Sequence, residues 1–229
     1  MTPEFDIVIV HYKGDVEKCL TSSHWDDLMK GESRCRVIAN SYFDGYGMED
    51  VVAVGENIGW VKACNAGLAL ATAPYVVLMN DDTEVVTPGW LEKLREPMLK
   101  DDRIGMVGPV SNFTCIQNQL VHRNRKLVGE DSDDWFIQSP LVRSGGPLSF
   151  FCVMLRREMV VDIGYLDEQF GIGLGEDDDY QRRADFAGWR IAIQPTVQVN
   201  HDCHQSWDSL EQRAQLQRKN ALLLQNKHK

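Results

Sequence analysis

Tyr75-Val76-Val77-Leu78-Met79-Asn80-Asp81-Asp82-Thr83 is the stretch on which the fold turns. Five consecutive apolar or aromatic residues give way at once to three polar ones. A short run that is apolar on both faces marks a strand buried from both sides, as in a parallel sheet covered by helices. Carboxylates at the carboxyl end of such a strand sit at the sheet edge where open α/β folds bind ligands. Asp81 and Asp82 repel one another there, and a divalent cation that prefers oxygen ligands relieves the repulsion. A polar turn capped by Asp82 accounts for the same residues, and placement alone leaves both readings open.

Outward from this strand, helical and extended patterns alternate. Phe5 to Val10 reads as a strand, Asp15 to Met29 as a helix and Arg34 to Ala39 as a second strand, a βαβ opening. Val51 to Val54 is a short strand, and Trp60 to Ala73 a helix of small residues that Pro74 separates from the strand at Tyr75. Thr87-Pro88 opens a helix through Leu99, and Ile104 to Val107 returns as a strand. Ser149 to Leu155 extends, Glu176 to Ala187 is helical up to Gly188, and Ile191 to Ile193 and Val197 to Asn200 are further extended pieces. The last helix, Trp207 to about Leu224, carries an apolar stripe at Trp207, Leu210, Ala214, Ala221 and Leu224 and is expected to pack on the core. The expected fold is α/β, with a mainly parallel central sheet flanked by helices on both faces. Ser111 to Gly146 reads as an irregular insertion with an acidic patch at Glu130, Asp131, Asp133 and Asp134.

Of 229 residues, 43% are hydrophobic, and 34 Asp and Glu outnumber 24 Lys and Arg for a net charge of −10. That excludes disorder, and it excludes a nucleic-acid groove or an anionic membrane surface as the main partner, since both need clustered cations. An acidic protein that handles an anionic substrate needs a cation. No apolar run approaches the ~20 residues of a membrane helix, so no integral membrane segment is expected. Nothing before Phe5 reads as a secretory signal, and six cysteines occur without a C-x-x-C pair; cytoplasmic residence is the expectation. His201-Asp202-Cys203-His204 imitates a zinc site but lacks a second ligand cluster.

Three further constellations bear chemistry. Asn57-Ile58-Gly59-Trp60-Val61-Lys62-Ala63-Cys64-Asn65-Ala66-Gly67 places a glycine at a loop-to-helix junction; the helix N-terminus and Lys62 suit phosphate, while the small residues suit tight packing. Gly175-Glu176-Asp177-Asp178-Asp179-Tyr180 holds four consecutive acids, more than helix capping requires. A carboxylate among them suits a general base, its proton affinity raised by its neighbours, whereas Asp179 with Arg182 or Arg183 suits a structural ion pair. His201 ends an extended segment and suits a metal site or phosphate contact, with His204 as the alternative.

In order and spacing, these segments resemble glycosyltransferase family 2: N-x-G-x-x-x-A-x-N-x-G, a D-x-D-like strand end, and an E-D-x-D helix followed by histidine. The resemblance runs from Phe5 through the C-terminal helix. Asn80 to Leu91, Phe150 to Arg156 and Gly164 to Phe170 are similar to the rhamnosyltransferase-like branch. It implies a single GT-A domain, with residues 1–110 as the nucleotide-sugar half and 111–229 as the acceptor and catalytic-base half. It also implies inversion by direct displacement, with Mn²⁺ or Mg²⁺ steadying the departing nucleotide diphosphate. Carried over, Asp82 and His201 correspond to metal ligands, with Asn80 and Asp81 beside them. Asp177 corresponds to the base, with Glu176 as the alternative. Asn57, Gly59, Lys62 and Asn65 lie on the nucleotide side, with His11 and Tyr12 beside the nucleoside.

Two departures matter. Ala39-Asn40-Ser41 stands where the family usually has a base-reading aspartate, leaving Asn40 or Asp44 for that task and the donor as UDP-, dTDP- or GDP-linked. The Q-x-x-R-W pattern of processive synthases is missing, which implies addition of one sugar, to a glycan or glycolipid acceptor. Trp135 and Phe136 suit an acceptor-side wall or equally a buried cluster. A nucleotidyltransferase would need a longer Gly-rich basic loop than His11-Tyr12-Lys13-Gly14. A non-catalytic nucleotide- or glycan-binding module would not need Asp82, Glu176 and Asp177.

Overall fold

The structure, a computed structural model, describes residues 3–13, 15–22, 33–40, 51–121, 136–138, 148–202 and 209–229. β1 (Phe5–His11) is buried along its whole length, and β2 (Ser33–Ala39) and β4 (Tyr75–Asn80) flank it in parallel. β3 (Val51–Ala53) extends the sheet beyond β2. On the other side follow β8 (Cys152–Arg156), β6 (Ile104–Val110), β9 (Arg190–His201) and β5 (Thr83–Val85), giving the order β3-β2-β1-β4-β8-β6-β9-β5. β7 (Phe136–Gln138) pairs with β9 off this path. β1, β2, β3, β4, β6 and β9 run one way and β5, β7 and β8 the other, so the sheet is mainly parallel.

Helices cover both faces, which is why the central strands are apolar without alternation. Val8 and Val10 pack with α2 (Trp60–Leu70), α4 (Arg157–Ile163) and α5 (Glu176–Phe186). Ile7 and Ile9 face the opposite layer, where α1 (Val16–Thr21) and α3 (Trp90–Lys100) lie. The small residues of α2 serve close approach: a Cβ on Gly67 would meet Val8 Cγ1 at 2.2 Å. Among the described residues, no helix is long and apolar enough to cross a membrane. Cys19, Cys64 and Cys152 are buried thiols outside any disulfide, and burial pushes the Cys19 thiol up to about 12.

Several boundaries differ from the sequence reading. α1 ends at Thr21 with Ser22 already extended, and α2 ends at Leu70 rather than Ala73. α3 begins at Trp90 rather than at Thr87-Pro88, because Gly89 takes a left-handed conformation (φ 62°) that no helix interior accepts. β8 begins at Cys152, and the two pieces around Pro195 form one strand, β9. The expectation of an apolar stripe packed on the core is corrected in α6 (Leu210–Lys227): only Asn220 and Leu224 are buried, while Leu210 is 83% exposed. Its N-terminus is set by Ser209, whose Oγ accepts from Glu211 and Gln212 N–H. Trp207 lies outside the described residues.

At the amino end of the sheet, Asp6 is fully buried in β1. Its carboxylate accepts from Arg34 Nε (2.8 Å), Arg36 Nη1 (2.9 Å), Thr72 N (2.6 Å) and Ala73 N (2.8 Å), joining β1, β2 and the turn before β4. Burial alone would raise its pKa, but the Ala73 and Thr72 N–H groups and Arg34 outweigh burial and hold it below the usual aspartate range. Asp6→Ala leaves Arg36 interior and uncompensated, so urea unfolding should show a loss of about 3–5 kcal/mol at pH 7. Because the folded pKa is depressed, this contribution is present above the ordinary value of 3.8 and vanishes as pH falls through the folded value. The stabilities of parent and variant should therefore converge on acidification; identical curves at pH 7 would contradict the role given to Asp6.

Candidate active site

The parallel register levels three strand ends. His11 is opposite Ala39, and Val10 is opposite Asn80, so His11-Tyr12, Asn40 and Asn80-Asp81-Asp82 emerge at one edge of the sheet. Asp81 turns toward β1, where its Oδ2 lies 2.7 Å from His11 Nδ1 and accepts from Tyr12 N at 2.8 Å. Asn40 N–H donates to the His11 carbonyl (2.8 Å), and its side chain is 2% exposed, with a buried Oδ1 that makes no hydrogen bond.

Asp82 turns the other way, toward β9. β5 pairs antiparallel with β9 so that Thr83 faces His201, and Asp202 N–H donates to the Asp82 carbonyl at 2.9 Å. This brings Asp82 Oδ1 to 3.2 Å from His201 Nε2; the oxygen is buried and makes no hydrogen bond. The imidazole stacks on Phe151 (5.2 Å between centroids) with Asn80 Nδ2 3.3 Å from its Nε2, and the His201 backbone N–H donates to Asn112 Oδ1. A carboxylate oxygen and an imidazole nitrogen at this separation are donors that Mn²⁺ accepts. Among the described residues no three His, Cys, Asp or Glu side chains form a ready cage. A two-residue set fits an ion whose other positions are filled by phosphate and water. His204 and Asp44 lie outside the described residues, as do the side chains of Trp135 and Phe136 and the acidic patch from Glu130.

The acidic run opens α5 after a loop with four left-handed residues: Gly171 (φ 66°), Gly173 (127°), Leu174 (72°) and Gly175 (100°). Its members fall into two kinds. Asp179 is fully buried and matched by Arg183 Nε (2.9 Å), Lys227 Nζ (2.8 Å) and His228 Nε2 (2.8 Å). Glu176 is 6% exposed and its Oε2 makes no hydrogen bond, while half-buried Asp177 accepts from backbone N–H groups, Asp178 N among them at 2.9 Å. Desolvation first, and then the charge of the next acid along the helix, pushes both carboxyls well above the carboxylate range, Asp177 to about 7. Gln181 braces this turn by bonding Leu148 N (2.9 Å), Leu148 O (2.9 Å) and Asp177 O (2.9 Å).

The segment from Asn57 to Gly67 packs against the chain that leads into the acidic run. Asn57 Oδ1 accepts from Gly59 N (2.9 Å), and Asn57 and Lys62 are exposed. Gly59 has φ 83°, and a Cβ there would meet Ile172 Cα at 2.8 Å, so the start of α2 rests directly on the left-handed loop. Asn65 is placed differently from the sequence reading: its amide donates to Leu166 O (2.9 Å) and accepts from Leu166 N (3.0 Å), tying α2 to the chain that leads to the loop. Sequence reasoning passed over Asn112, Asn220 and the Thr83–Val85 strand; only the Thr83-x-Val85 and Val197-x-Val199-x-His201 alternation signalled that pairing.

Residues 30–219 match the family described as glycosyltransferase like family 2. An uncharacterized glycosyltransferase of Haemophilus influenzae is 26% identical over 103 residues, 45% of this chain and 26% of that protein. Among solved structures, GalNAc-T7 with UDP, GalNAc and Mn²⁺ superposes with a TM-score of 0.62 at 15% identity, over 86% of this chain and 42% of that one. The mannosyltransferase PcManGT from Pyrobaculum calidifontis, in complex with GDP-Man and Mn²⁺, gives 0.62 at 16% identity, over 98% of this chain and 63% of that one. The sheet described above is thus the GT-A fold, and the chain belongs to glycosyltransferase family 2.

Proposed function

We propose that the protein is a metal-dependent inverting glycosyltransferase that moves one hexose-type sugar from a nucleotide-diphosphate donor to a hydroxyl of a glycan or glycolipid acceptor. One observation carries this: two carboxylate sites, Asp82 with His201 and Glu176 with Asp177, flank the same edge of a GT-A sheet, with no Lys or Arg paired to them among the described residues. Residues 1–110 hold the donor and residues 111–229 the acceptor and base, within one domain. The resemblance from Asn80 to Leu91 is to the rhamnosyltransferase-like branch, and the donor is a UDP-, dTDP- or GDP-linked sugar.

In this reading Asp82 and His201 hold Mn²⁺ or Mg²⁺, which when bound neutralises charge on the departing diphosphate. His11 and Tyr12, fixed by Asp81, border the nucleoside, and the free Oδ1 of Asn40 accepts an N–H from its base. Asp177 takes the proton of the acceptor hydroxyl as that oxygen bonds to the anomeric carbon and the sugar–phosphate bond breaks on the opposite face. Burial suits the task, because a base with raised proton affinity gains more from accepting the proton near neutral pH. Glu176, behind it and more deeply buried, is the alternative base.

Nucleotide release from a panel of UDP-, GDP- and dTDP-sugars should require Mn²⁺ and stop in EDTA, and Asp82→Ala should weaken Mn²⁺-dependent donor affinity. Release that survives EDTA unchanged would remove the metal from the scheme. Asp177→Asn should lower transfer by about 10²-fold or more while donor binding persists; full activity would move the base to Glu176. Because the Asp177 carboxyl is raised to about 7, it is protonated and inactive below that value. The transfer rate should therefore climb as pH rises through about 7, and a limb centred near pH 4 would contradict a buried base.

A further inference from the structure

We propose that Asn220, in the middle of the C-terminal helix, is a positioning residue for the reaction: its amide holds the left-handed loop from which Glu176 and Asp177 project. The inference rests on the assignment of that pair as the base. α6 is mostly exposed, yet Asn220 is 1% exposed and reaches inward to the loop. Its Nδ2 donates to three backbone carbonyls, Phe170 O (3.0 Å), Gly173 O (2.8 Å) and Leu174 O (2.9 Å). Three acceptors around one atom identify it as the nitrogen, while the Oδ1 is buried and makes no hydrogen bond.

Carbonyl oxygens that converge on one point repel unless a donor stands between them, so the loop closes around Asn220 and opens without it. The same loop keeps Leu174 at φ 72°, a conformation that an L residue holds only where its surroundings enforce it. Glu176 begins the helix two residues after Leu174. A change in the loop therefore rotates the first turn of α5 and admits water to Glu176 and Asp177. Asp177 and Asp178 act on Glu176 and Asp178 on Asp177; these acids in turn raise the neutral thiols that face them, Cys64 of α2 and Cys115 of the loop after β6, on which Arg213 of α6 acts in the opposite sense. A second grip lies farther along α6, where Lys227 pairs with Asp167 (2.6 Å) and Asp179 (2.8 Å).

The test compares three variants of the full chain. Asn220→Leu keeps the volume and removes the donor, Asn220→Gln keeps the donor, and Ser209→Ala loosens the same helix at its capped end without touching the loop. Two quantities are read: Mn²⁺-dependent nucleotide release across the sugar-nucleotide panel, and Tm of the ligand-free protein from pH 4 to 9. The folded pair keeps its protons to higher pH than the unfolded chain, so Tm falls as pH rises from the ordinary carboxylate range through the raised values. Asn220→Leu should lower kcat about tenfold or more with donor KM within about twofold, and shift the fall in Tm to lower pH. Asn220→Gln should restore part of both, and Ser209→Ala should lower Tm at every pH without moving the titration. If Asn220→Leu keeps the parental kcat and titration, or if Ser209→Ala moves the titration equally, the proposal is overturned. If the titration moves and kcat does not, Asn220 positions the acids as proposed and the base assignment falls instead. Asn220→Ser, a milder loss, carries the same comparison where Asn220→Leu does not fold.

Discussion

A carboxylate taken out of water needs a counter-charge, N–H donors or a proton, and which of these each acid receives organises the molecule. Asp6 receives Arg34, Arg36 and two backbone N–H groups, and it locks the amino end of the sheet. Asp81 receives His11 and the Tyr12 N–H, and it fixes the end of β1. Asp179 receives Arg183, Lys227 and the His228 imidazole and anchors α5 to α6. Asp82, Glu176 and Asp177 are not provided for in this way: one faces an imidazole, and the other two hold protons beyond the usual range. The compensated acids are structural, and the uncompensated ones lie where chemistry is proposed.

Much of this was legible from the chain. The runs at Phe5, Arg34 and Tyr75 are apolar on both faces because helices cover the sheet twice, and such runs need no long-range knowledge to read. Register follows from them: once these strands are parallel neighbours, His11, Asn40 and Asn80 to Asp82 must share an edge. The division of the acidic run was half visible, since Asp179 and Arg183 are four residues apart on one helix. That no described Lys or Arg pairs with Glu176 or Asp177 was not visible, because it depends on how distant segments of the chain are arranged.

The unread parts share a physical cause: they depend on contacts between distant segments with weak local signals. A three-residue strand, Thr83–Val85, shows only a single step of alternation, yet its pairing with β9 brings Asp82 to His201 across more than a hundred residues. Asn65 sits in a segment whose pattern suits the donor, but Leu166, 101 residues away, takes its amide on both sides. The C-terminal helix misled for a related reason. Its apolar positions recur at helical spacing, but docking comes from one buried amide, one leucine and a cluster of ion pairs, none of which a hydrophobic stripe reveals.

α5 shows why such distant support is needed. Successive residues of a helix turn by about 100°, so Asp177 and Asp179 point to nearly opposite sides. One side meets the cleft, where none of the described Lys or Arg side chains pairs with it, and the other meets Arg183, Lys227 and His228. Charge of one sign on both sides of a single turn would push the turn outward if only one side were neutralised from solvent. Gripping Asp179 from behind holds the turn in place while Glu176 and Asp177 stay uncompensated. The loop of left-handed residues then sets the angle at which that turn begins. The acidic motif therefore acts as one unit in which a buried ion cluster on the far side lets a half-buried carboxylate on the near side keep a high proton affinity.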